Sequence, residues 1–251
     1  VEGGADVNQA STDDGSTPCY VAAENGHVEV VKALVEAGAD VNQATTDDGA
    51  TPCFMAAQEG HVEVVRALVE AGADVNQART DNGATPCFMA AQNGHAEVVR
   101  VLAKLGASVE TPDDTGRTPA FIAAQMGHAE VVTLLATLKP ALITRTSNSG
   151  WTPLRVSCHR AHLDTSKALL LLGAPVTVQD LKRYRFTPGE RFATHTLRTK
   201  LMDFMDGALE QHRIFVSVFL FGCTVHPSTS SATQAISTVP FTGSSGFFPP
   251  T

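Results

Sequence analysis

The chain has 251 residues, of which 43% are hydrophobic and 18% charged, a balance that excludes wholesale disorder. Its net charge of −8 is unevenly spread: residues 1–173 carry 11 Lys+Arg against 21 Asp+Glu, and residues 174–251 carry 7 against 5. An acidic first part repels phosphate backbones and so argues against a nucleic-acid partner. The longest apolar run, Ile214 to Phe221, falls far short of the roughly 20 residues of a membrane span.

No signal peptide is visible at the start, so the chain is expected to be soluble and intracellular, with the cytoplasm as its compartment. The first residues, Gly3-Gly4-Ala5-Asp6-Val7-Asn8, enter in the middle of a pattern that recurs downstream. A longer protein is therefore expected.

That pattern is an internal repeat. Thr17-Pro18, Thr51-Pro52, Thr85-Pro86, Thr118-Pro119 and Thr152-Pro153 follow one another at steps of 34, 34, 33 and 34 residues. Each unit predicts two short helices. Thr51 is a good N-cap and Pro52 suits the first helical position, where its missing N–H costs nothing. Ala56 and Ala57 let neighbouring backbones approach, and Gly60 can adopt the left-handed conformation that stops the helix. A second helix then places Val62, Val65, Leu68 and Val69 on one face and ends at Gly72. Asp47-Asp48-Gly49 and Asp81-Asn82-Gly83 supply tight turns between units.

These residues resemble the ankyrin repeat, whose period is about 33 residues and whose signature is Thr-Pro-Leu-His-x-Ala. The resemblance covers residues 1–176, with a half-unit at 1–8, three close copies from Thr17, Thr51 and Thr85, and two degenerate ones from Thr118 and Thr152. It implies an all-α solenoid of helix-turn-helix units with hairpin-like turns. Here Cys19, Cys53 and Cys87 replace the family's Leu, while Tyr20, Phe54, Phe88 and Phe121 replace its His, which helps to fix turn geometry. The fifth unit departs furthest, with Ser157-Cys158 for Ala-Ala, Ala161 for Gly and Thr165-Ser166 for Val-Val. These polar residues are expected to suit an end cap. In the fourth unit Lys139-Pro140-Ala141 replaces the Gly-Ala-Asp turn, which is expected to alter its contact with the fifth.

After the repeats, residues 177–225 form a separate segment. Thr187-Pro188-Gly189-Glu190 reads as a capping box opening a helix to about Arg213, with Leu197, Leu201, Phe204 and Ala208 on one face. That face is expected either to cover the end of the solenoid or to dock in a partner's groove. Ile214 to Val225 is consistent with a strand or with more helix. Residues 226–251, rich in Ser, Thr, Pro and Gly, read as a disordered tail.

The chemistry-bearing residues are explained by the repeat. Equivalent cysteines in packed neighbouring helices stand too far apart to bridge, and no CxxC zinc pattern occurs. His27, His61, His95, His128 and His162 each follow the turn within a unit, too far apart to share a metal. No GxxxxGK[ST] phosphate loop, nucleophile–base pair or cofactor motif is present, so neither catalysis nor a cofactor is expected.

What remains is a row of turn acids: Asp13-Asp14, Asp47-Asp48, Asp81 and Asp113-Asp114. It reads either as a solvated face or as a recognition edge for a protein with a basic surface, with little nearby to neutralise the charges. The family resemblance implies contacts from the turn tips and from the residues closing each first helix. These map to Asp13, Asp14, Asp47, Asp48, Gln58, Glu59, Asp81, Asn82, Gln92, Asn93, Asp114, Thr115, Arg117, Gln125 and Met126. The expected function is a protein-interaction scaffold or adaptor, with the targeting module of a larger enzyme as the alternative.

Overall fold

The structure, a computed structural model, describes residues 4–175. Five helix pairs follow one another: α1 (Pro18–Glu24) with α2 (Val28–Glu36), α3 (Pro52–Glu59) with α4 (Val62–Glu70), and α5 (Pro86–Asn93) with α6 (Ala96–Lys104). Then come α7 (Pro119–Met126) with α8 (Ala129–Leu138), a 3-10 helix at Pro140–Ile143, and α9 (Pro153–His159) with α10 (Leu163–Leu171). No strand occurs among the described residues, and the fold is the all-α solenoid that the repeat implies. The helix expected between Thr187 and Arg213, the segment at 177–225 and the tail at 226–251 lie outside the described residues.

Each first helix begins as local chemistry dictates. Thr17, Thr51, Thr85, Thr118 and Thr152 are extended N-caps whose hydroxyls accept the N–H three residues on, with proline at the first helical position. The alanine pairs at 22–23, 56–57, 90–91 and 123–124 are all buried. Because they are small, the first helices of adjacent units pack more closely than the second helices do, so the stack curves with the first helices on its inner side.

The second helix α4 buries Val65 and Leu68, as its spacing suggests, but on a face shifted from the expected one. In α4 it is Val64, Val65 and Leu68 that are buried, while Val62 and Val69 are only half-buried. Val64 is covered because α4 is flanked by α2 and α6 as well as backed by its own partner α3, whereas the equivalent Val30 of the end helix α2 is exposed.

The fifth unit also corrects an expectation. Ser157, Thr165 and Ser166 do not face solvent as polar cap residues would; all three are buried, with the Ser157 and Ser166 hydroxyls 2.9 Å apart. Ser157 donates to the Leu154 carbonyl and Ser166 to that of His162 (2.9 Å each), which satisfies them, whereas the Thr165 hydroxyl has no partner among the described residues. The Lys139-Pro140-Ala141 replacement becomes the 3-10 helix and adds Leu142 and Ile143 to the core.

Neighbouring units are tied by recurring hydrogen bonds. Nε2–H of His61, His95, His128 and His162 donates to the carbonyls of Glu24, Gln58, Gln92 and Gln125 in the preceding unit at 2.9–3.0 Å. On the other side, Asn8 accepts from Asp40 N–H and Asn42 from Asp74 N–H, both at 2.8 Å. The recurrent histidines thus cross-link the stack.

Gly94 sits where such a tie passes. Its φ is 84°, and a Cβ there would lie 2.6 Å from Nδ1 of His128, whereas at Gly72 (φ 93°) a Cβ would meet nothing within 4 Å. Gly94→Ala is expected to cost about 2 kcal/mol in urea unfolding and Gly72→Ala about 1 kcal/mol, the latter from left-handed strain alone. Equal losses would mean that His128 does not hold the position shown.

Candidate interaction surface

The turns between units are closed first by backbone. Thr45 N–H donates to Ala50 C=O (3.0 Å) and Arg79 N–H to Ala84 C=O (2.9 Å), so the turn forms without the family's histidine. Phe54, Phe88 and Phe121, which stand in its place, are buried. Within each turn one side chain caps the loop. Asp14 accepts the amide and hydroxyl of Ser16 (3.0 and 2.6 Å), Asp48 accepts Ala50 N–H (3.0 Å) and the Thr45 hydroxyl (2.7 Å), and Asn82 accepts Ala84 N–H (2.9 Å).

Successive turns are then joined edge to edge. Thr46 N–H donates to Asp14 C=O, Thr80 N–H to Asp48 C=O, Asp114 N–H to Asn82 C=O and Asn148 N–H to Thr115 C=O, at 2.9–3.0 Å. The tips therefore form one continuous ribbon that brings Asp13, Asp14, Asp47, Asp48, Asp81, Asn82, Asp114 and Thr115 together along one edge. Gln58, Glu59, Gln92, Asn93, Gln125 and Met126 lie apart from it, at the C-terminal ends of α3, α5 and α7. There the His ties anchor the carbonyls of Gln58, Gln92 and Gln125, and Glu59, Asn93 and Met126 are exposed.

The expectation that the acidic row has little to neutralise it is corrected by two arginines. Nη2 of Arg79 lies 2.8 Å from Asp48 and 2.6 Å from Asp81, with its guanidinium 5.5 Å from the ring centre of Phe54. Arg117 binds the buried Asp113 (Nη2 at 2.6 Å, Nε at 2.8 Å) and lies 5.8 Å from the ring centre of Phe88. Asp13, Asp47 and Asp114 are exposed and make no ion pair among the described residues.

The acidic field shows at Tyr20. Its phenol is pushed up to about 12 by burial and then by Asp48, Glu24, Asp47 and Asp14. Asp14 is held below the ordinary carboxylate range by the Ser16 hydroxyl and amide. For Asp48, burial acts upward, but the bonds from Thr45 and Ala50 and the charge of Arg79 prevail and lower it. Burial pushes the thiols of Cys53 and Cys87 up to about 12, and the four described cysteines are buried with no disulfide among them.

Sequence reasoning missed a groove between the fourth and fifth units. It encloses about 570 Å³ and is lined by the expected Asp114, Thr115, Arg117 and Gln125 together with Asn148, Trp151, His159 and Arg160. Two of its large side chains, Arg117 and Trp151, come from one repeat position. The residue before the N-cap threonine is Ser16, Ala50 and Ala84 in the first three units but Arg117 and Trp151 in the last two. That substitution, and the placement there of the chain's one tryptophan, was the available signal.

A curved helical repeat with a hydrogen-bonded turn edge has the architecture of an interaction solenoid. The family model described as ankyrin repeats (3 copies) matches residues 1–79, 76–146 and 110–180. The chain belongs to the ankyrin-repeat family, whose repeats are protein–protein interaction modules and are typically non-catalytic. In a comparison with curated proteins nothing matches the chain. Among the described residues no helix is long and apolar enough to cross a membrane.

Proposed function

We propose that this chain is a scaffold or adaptor that binds a partner protein with a basic surface through the turn edge and concave face of its first units. The observation that carries this reading is the concentration of charge. Residues 1–76 hold 2 Lys+Arg against 14 Asp+Glu, and Asp13 and Asp47 project from the ribbon without cationic partners among the described residues. Such a field steers a basic protein toward the edge and is screened over roughly 8 Å at physiological ionic strength. Glu59, Asn93 and Met126, exposed at the ends of the first helices, extend the same contact surface inward.

The test uses Asp13→Asn with Asp47→Asn. Asp48 and Asp81 are left intact because they hold Arg79. Proteins captured by the full chain are identified, and the association rate of the principal one is followed across a salt series. The double variant is expected to associate about three- to tenfold more slowly at low salt and to converge with the parent at high salt. Equal rates at low salt would show the edge to be a solvated face only.

A further inference from the structure

Charge changes sign along the stack. Residues 139–175 hold 5 Lys+Arg against 1 Asp+Glu, the reverse of the first two units. The groove between the fourth and fifth units opens at this cationic end. Arg117 forms part of its wall with its charge set against Asp113, and Arg160 and His159 are exposed at its rim. Asp114 is the carboxylate that its described lining presents without a cation in an ion pair.

The groove is also built around a fixed aromatic surface. Trp151 is half-buried, with the Arg155 guanidinium 4.3 Å from its ring centre and the His159 ring edge-on to it, centroids 5.0 Å apart at 87°. A ring held on two sides loses little freedom when a ligand arrives, which makes it a good anchor for an apolar side chain. Beside it stand Gln125, Asn148 and Ser149, side chains that can donate to an anion.

We infer that this groove is a second docking site, which takes an acidic peptide segment of a partner protein: an apolar side chain packs on Trp151 and flanking carboxylates meet Arg160, Asn148 and Ser149. The inference rests on the chain's being an interaction scaffold, but it needs a partner opposite in charge to the one assigned to the acidic edge. A basic segment would bring its cations among Arg117, Arg155 and Arg160. A long polyanion would have to run onto the acidic turn ribbon, whereas a short peptide need not. With one site of each sign, the scaffold joins two different partners.

Trp151 is the only tryptophan in the chain, so intrinsic emission reports on this groove directly. The full chain is titrated with a short acetylated peptide of alternating Glu and Leu, with its Lys/Leu counterpart, and with a short oligothymidine strand. The Glu/Leu peptide is expected to shift the emission saturably. Arg160→Glu should weaken it about tenfold and Arg160→Ala less, both folded by circular dichroism, because Arg160 is exposed and replacing it creates no cavity. Asp13→Asn with Asp47→Asn, which tests the acidic edge, should leave this titration unchanged. The proposal is overturned if the Glu/Leu peptide gives no saturable change, if the Lys/Leu peptide or the oligothymidine binds as tightly, or if Arg160→Glu binds like the parent.

Discussion

Leu102→Ala is expected to lower the free energy of unfolding by about 3–4 kcal/mol, the largest loss of any single change considered. Leu102 lies in α6 with no exposed surface, in the middle unit, where both neighbouring second helices pack beside it. Its removal leaves a cavity that a stack pinned on both sides cannot close. Because each unit is held mainly by its neighbours, the loss should weaken the whole array rather than melt one unit. Leu138→Ala is the comparison, since Leu138 at the end of α8 is 47% exposed and should cost less than about 1 kcal/mol. Urea unfolding followed by circular dichroism measures both. Similar losses at the two positions would contradict the assignment of inner and outer faces.

Asp113→Asn is expected to cost about 2–3 kcal/mol at neutral pH, because it uncouples an ion pair whose carboxylate side chain is only 2% exposed. Asp113 accepts from the Arg117 amide and guanidinium and from the Thr115 amide and hydroxyl, and asparagine cannot accept them all. Burial pushes the Asp113 carboxyl up, but the bonds from Arg117 and Thr115 outweigh it and hold the group below its ordinary value. A carboxyl depressed in the folded state contributes fully above the unfolded value of roughly 3.9 and loses that contribution as pH falls through its lower folded value. The gap between parent and variant should therefore be widest near neutrality and close in strong acid. A gap that widened on acidification would reverse the sign and refute the pairing. Since Arg117 also walls the groove, its release should alter Trp151 emission.

The parts of this fold that were legible in the sequence are those decided within a few residues. Thr51-Pro52 and Gly60 mark a start and a stop by local backbone chemistry alone, and three further units repeat both signals while the fifth keeps the Thr-Pro start. What was hidden depends on residues of one unit meeting those of another. Val64 is buried by adjoining helices that no single-unit periodicity contains. In Asp47-Asp48 the two carboxylates look alike in sequence, yet Asp48 caps its own turn and reaches Arg79, while Asp47 stands outside. Ser157 and Ser166 look like surface residues and instead lie in the interior, where backbone carbonyls accept their protons. The groove was hidden for the same reason: Gln125 comes from α7, while Trp151 and Arg160 flank the two ends of α9.

The His ties also bear on distance. His95 meets Gln58 C=O just as His61 meets Glu24 C=O, and α3 and α5 share the run Pro-Cys-Phe-Met-Ala-Ala-Gln. The first helices of the two middle units consequently present the same residues to their neighbours, and an interior copy can be removed or inserted with these first-helix junctions restored. Asp13 and Asp47 of the acidic edge lie before the first helices of these copies and the cationic groove after them. The number of middle units therefore acts as a ruler, setting the separation of the two ends while leaving the chemistry of each untouched.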